Sequence, residues 1–124
     1  LRDINVLIVA SGSLTHNLYE FRGNATHGAE YVKNFASWTA QALKAGNIEH
    51  LLDYQQHAPS AERAHPTDEH FLPLFIALGA AGAAYKTRVL DGGVTYGVLA
   101  MDSYLFTSAD SRGLENDQPI QGVA

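Results

Sequence analysis

The apolar positions of this chain fall into three patterns, and each predicts a different element. Residues 4–10 read Ile-Asn-Val-Leu-Ile-Val-Ala, apolar at nearly every position and rich in β-branched side chains. A run without alternation predicts a central strand covered on both faces. Residues 29–45 carry Val32, Phe35, Ala36, Thr39, Ala42 and Leu43 in one stripe at helical spacing, widened by Tyr31 and Trp38. Lys44 falls in the last turn of that helix, and Gly46 follows where a left-handed terminating residue is expected. The third pattern is a pair of short apolar runs, 85–90 and 95–106, which predict two strands joined by the turn Asp91-Gly92-Gly93. Residues 98–101 do not alternate, which implies burial on both faces there.

Connecting segments are less regular. Residues 11–28 have few periodic apolar positions and predict a long loop of functional length. Leu51 and Leu52 anchor a short helix over 48–54, and residues 60–65 predict a helical turn halted by Pro66. Thr67 is an expected N-cap, with Asp68 and Glu69 in the first turn of a helix running to about Leu78 and stopping at Gly79. Pro73 then lies deep enough to predict a kink or a missing hydrogen bond. Beyond Phe106 the chain turns polar, so residues 1–106 read as the folded portion and 107–124 as a flexible extension or an arm docked on a partner.

Composition narrows the function classes. The 124 residues fit one domain, 46% hydrophobic and 17% charged, as expected of a folded water-soluble unit. Eight basic against thirteen acidic residues give a net charge of −5 and no basic cluster, which argues against a nucleic-acid partner. No apolar run reaches the roughly 18 residues of a membrane span, and no signal peptide is evident. The absence of cysteine removes disulfides, thiolate metal sites and cysteine nucleophiles, and suits a cytoplasmic location. The sequence opens Leu1-Arg2-Asp3 directly before an apolar strand, which reads as a piece of a longer polypeptide.

Candidate chemistry concentrates on histidine. His27, His50 and His57 fall on loops or expected exposed faces, and His65 reads as the residue closing a turn before Pro66. His16, in Ser11-Gly12-Ser13-Leu14-Thr15-His16-Asn17-Leu18, sits just past the C-terminal end of the first strand, where open α/β sheets bind ligands. His70 opens the later helix. Two imidazoles converging in one crevice can both offer a neutral nitrogen to a metal. Glu69 adjoins His70, but on a helix its side chain would point about 100° away. Two histidines do not complete a mononuclear site, which generally takes three protein ligands. No phosphate loop, dinucleotide fingerprint, zinc-protease helix or nucleophile elbow is present.

Three phrases in register then carry a resemblance: Gly12-Ser13 with His16-Asn17-Leu18, the run Pro66-Thr67-Asp68-Glu69-His70-Phe71-Leu72-Pro73-Leu74, and the run from Tyr96 through Met101 to Tyr104. Together they resemble the C-terminal half of the class III extradiol ring-cleavage dioxygenases, in the DOPA-4,5-dioxygenase-like branch. The resemblance implies an α/β fold with a mixed or mostly parallel central sheet flanked by helices. It also implies a non-haem Fe(II) site (zinc can take its place in purified protein), with a catechol and O2 as substrates. His70 matches a metal-site histidine, and His16 matches a histidine read either as a ligand or as the acid/base over the substrate. The remaining ligands are expected from sequence upstream of Leu1, so the fragment alone is expected to be inactive. Asn17, Tyr96 and Ser103 are lesser candidates for substrate hydrogen bonds. A homodimer through the apolar face left uncovered is expected. Two rival readings are a non-catalytic α/β domain that keeps the fold for binding or assembly and a metal-dependent hydrolase-like site.

Overall fold

A computed structural model of the chain describes residues 4–21, 23, 25 and 27–109. Its principal helix, α1 (Glu30–Ala45), forms where the helical stripe predicts it, and the stripe is buried except for Trp38 at its edge, which is half-buried. Its C-terminus is a Schellman motif. Gly46, at φ 67°, donates its N–H to the Leu43 carbonyl, and the Asn47 N–H reaches the Ala42 carbonyl. Asn47 then caps α2 (Ile48–Leu52) by accepting the His50 N–H, and short helices α3 (Tyr54–His57) and α4 (Ala61–Ala64) follow. The core forms where α1 meets this chain of short helices, around Phe35, Tyr54, Ala61, Ala64 and Phe71.

Helix α5 (Pro73–Ala81) begins later than its capping pattern predicts. Thr67 is not an N-cap; its hydroxyl donates to the Glu69 carboxylate instead. The Asp68 carbonyl accepts from Phe71 N–H and Leu72 N–H in a non-helical turn that carries Glu69 and His70. Pro73 therefore occupies the first helical position, where its missing N–H costs nothing, and no kink arises. The proline set the boundary, and the capping signal upstream was overridden.

The strands also depart from expectation. Strand β1 (Tyr85–Leu90) pairs antiparallel with β4 (Ser103–Ser108), in register from Tyr85 opposite Ser108 to Leu90 opposite Ser103. The predicted single strand over 95–106 is broken by a small excursion, β2 (Val94–Thr95) paired with β3 (Leu99–Ala100). Tyr96 and Gly97 turn that excursion with φ 53° and 76°, closed by the Val98 N–H to the Thr95 carbonyl, as in a type I′ hairpin turn. Gly92 must be glycine because a Cβ there would run into the Met101 carbonyl oxygen. Both ladders are antiparallel, and no parallel pairing occurs among the described residues. Thr107 and Ser108 belong to β4 rather than to the polar extension; residues 110–124 of that extension lie outside the described part.

The expected central strand over 4–10 is the largest correction. The segment joins no ladder among the described residues, and Ile4, Leu7 and Val9 are 68%, 80% and 80% exposed. A strand apolar on both faces becomes central only when neighbours supply both its hydrogen bonds and its cover. Here it forms one wall of a cavity of about 600 Å³ instead, facing α5 and β4. No described helix is long and apolar enough to cross a membrane.

Candidate active site

His16 and His70 come together although they are 54 positions apart in the sequence. Their rings stack with centroids 3.5 Å apart at 26°. Three hydrogen-bonded ties, two through the backbone and one through a side chain, produce this. The Ser13 N–H donates to the His70 carbonyl, and the His16 N–H donates to the Ala64 carbonyl, each at 2.8 Å. Gly12 permits the first tie, since a Cβ there would collide with the His70 carbonyl oxygen. The third runs through Thr15, fully buried, whose hydroxyl donates to the Val98 carbonyl and accepts the Ala100 N–H, both at 2.8 Å. The loop carrying His16 is thus pinned on one side to the turn carrying His70 and on the other to the β2–β3 hairpin.

His70 lies in the turn before α5, not on its first helical residues. The 100° separation expected for helical neighbours therefore does not apply, and Glu69 Oε1 approaches His70 Nε2 to 3.7 Å. The Glu69 carboxyl is held below its usual range by its own backbone N–H and by the Thr67 hydroxyl, so it stays anionic beside the imidazole.

Behind the pair lies a histidine that the sequence left as a turn residue. His65 is 3% exposed, and its ring is boxed by Phe35, Tyr54 and Phe71, with centroids 5.4, 6.3 and 4.9 Å away. Its Nε2 lies 2.7 Å from the Leu14 carbonyl. Burial depresses its pKa, opposed by that hydrogen bond, and the nearby His16 and His70 depress it further. Asp68 anchors the same turn from the other side, accepting from Tyr54 Oη at 2.5 Å and from Gln55 Nε2 at 2.9 Å. Burial first, and then Asp68, push the Tyr54 phenol up to about 12.

The lesser candidates separate. Asn17 is buried and committed to structure: its Nδ2 donates to the Arg63 carbonyl and its Oδ1 caps the 3-10 turn Leu18–Glu20 through Tyr19 N–H. Tyr96 sits at the hairpin tip against Phe21, with ring centroids 4.5 Å apart, and does not line the large cavity. Ser103 does line that cavity, together with His70. His27, His50 and His57 are exposed as expected, the last two stacked on each other at 3.9 Å. Sequence reasoning missed Thr15 and His65, whose roles depend on partners 83 to 85 and 51 positions away.

As a metal centre the pair is incomplete. Two imidazoles suit a divalent transition metal, but no group of three histidine, cysteine or carboxylate side chains able to hold an ion occurs among the described residues. The arrangement supplies two donors and asks for at least one more.

Residues 1–107 match the family model described as the catalytic LigB subunit of aromatic ring-opening dioxygenase. The chain is 38% identical over 108 residues to the 4,5-DOPA dioxygenase extradiol of Beta vulgaris, covering 87% of this chain and 40% of that protein. It is 37% identical over 113 residues to the Portulaca grandiflora protein of the same name, again 87% and 40%. With the Escherichia coli (strain K12) protein of that name it shares 33% over 111 residues, 82% of this chain and 38% of that protein. The chain spans about two fifths of the length of these relatives. A match over most of its length means that this chain belongs to the LigB family of aromatic ring-opening, extradiol-type dioxygenases.

Proposed function

We propose that this chain is the C-terminal portion of an Fe(II)-dependent extradiol dioxygenase that opens a catechol ring, with a DOPA-like compound as substrate. The observation that carries the reading is the contact of His16 with His70 in a chain of this family. His16 and His70 would hold the ion, iron in the working enzyme and zinc as a substitute. The remaining ligands come from outside residues 1–124. When bound, the metal supplies a site at which catechol and O2 meet. In the alternative role His16 leaves the ion to His70 and the ligands from elsewhere and, with its nitrogen off the metal, takes the catechol proton from its pinned loop. The cavity beside His70 offers Ser103 as a hydrogen-bonding group for the substrate, with Leu74, Ala77 and Leu14 as its apolar lining. Asn17 and Tyr96 act in the same reading as supports of the loop and hairpin. A cytoplasmic location fits it.

Oxygen uptake tests this. With L-DOPA and Fe(II), a longer chain carrying the missing ligands should consume O2, and residues 1–124 alone should not. Turnover that survives both His16→Ala and His70→Ala in the longer chain overturns the reading. The incomplete donor set favours one second reading, a non-catalytic domain that keeps the fold for binding or assembly. Under that reading the longer chain binds a catechol or a partner without consuming O2.

A further inference from the structure

We propose that His65 is a positioning residue, a neutral clamp whose Nε2–H holds the His16 loop at the distance where His16 meets His70. The clamp works at two points. At its edge the ring reaches the Leu14 carbonyl, 2.7 Å away and two residues before His16. On its face it packs against Phe71, the residue after His70, with centroids 4.9 Å apart. The residue before it, Ala64, supplies the carbonyl that takes the His16 N–H. A single buried side chain thus touches the segments that lead into one histidine and out of the other.

The chemistry fixes the tautomer. A carbonyl oxygen only accepts, so the proton must sit on Nε2. Nδ1 is buried with no protein hydrogen-bond partner among the described residues, and an imidazolium would add a second N–H there with no protein acceptor in reach. The ring is therefore held neutral. This clamp serves the metal pair only if the reading of His16 and His70 as ligands holds; its geometry does not depend on that reading.

The test is nuclear magnetic resonance on the isotopically labelled full chain at pH 7.5, with Zn(II) alone as the metal probe. The wild type should show ring-to-ring NOEs between His16 and His70, and the nitrogen pattern of an Nε2–H tautomer at His65. His65→Phe keeps the aromatic face and removes the donor, so it should lose most of those NOEs while its amide spectrum stays dispersed. His65→Gln keeps an N–H donor and should retain them; if His65→Phe fails to fold, this variant decides. Zn(II) affinity should fall about tenfold or more in His65→Phe, the range found when a group supporting a ligand is removed, and should stay near wild type in His65→Gln. Wild-type NOEs in a folded His65→Phe, their loss in a folded His65→Gln, or an Nδ1–H tautomer overturns the clamp. A wild type that binds no Zn(II) counts against the ligand reading, and the NOEs still decide the clamp.

Discussion

Replacing Thr15 by valine isolates one of the ties that hold the candidate site. The two side chains have nearly the same volume, so the substitution deletes the hydroxyl without opening a cavity. That hydroxyl serves both the Val98 carbonyl and the Ala100 N–H in a fully buried position. Losing it strands a buried donor and weakens a buried acceptor, at about 1–3 kcal/mol for an unsatisfied group and less for a carbonyl. The expected loss is about 2–4 kcal/mol, a large share of the 5–15 kcal/mol typical of a domain. Thr15→Ser keeps the hydroxyl and removes one methyl, for about 1 kcal/mol. Urea unfolding followed by circular dichroism, with one m-value for all three proteins, should rank them wild type, serine, valine. A valine variant within about 0.5 kcal/mol of wild type, or a serine variant less stable than valine, would refute the argument that this hydroxyl carries the tie.

His65 makes stability depend on pH. Its folded pKa lies below the ordinary value of about 6.5, so the unfolded chain takes up this proton first as pH falls. The stability advantage of wild type over His65→Gln should be complete above that pH. Below it the advantage should shrink by up to about 1.4 kcal/mol per pH unit, until the buried ring itself protonates. A difference that stays constant between pH 7.5 and 5 would exclude the neutral buried ring. The uncovered segment 4–10 predicts self-association: sedimentation velocity should show a concentration-dependent dimer that Leu7→Lys with Val9→Lys abolishes, at little cost to folding because both side chains are 80% exposed. A monomer at every concentration would remove the homodimer from consideration. Gly46→Ala should cost about 1–2 kcal/mol although no described residue lies within 4 Å of the added methyl, because alanine resists φ 67°; no change in urea midpoint would mean that the Schellman end is dispensable.

What the sequence determined by itself was local periodicity and order. The stripe from Val32 to Leu43 was enough for α1, because a helix of 16 residues makes its own hydrogen bonds and needs only one partner face. Gly46 as its stop was legible for the same reason. The phrases around His16 and His70 were likewise readable, since family motifs are linear. Strands were another matter, because their hydrogen bonds come from elsewhere in the chain. The same apolar run that promised a buried strand at 4–10 stays uncovered, and the turn at 91–93 leads into a small excursion instead of joining β1 to its partner. Tertiary structure also decided which histidine matters for support. His65 looked like a turn residue beside Pro66, and only folding brought the Leu14 carbonyl to its ring. The convergence of His16 and His70 belongs to both levels: the sequence named the two residues, and the close approach at Gly12 and the buried Thr15 hydroxyl brought their rings within 3.5 Å.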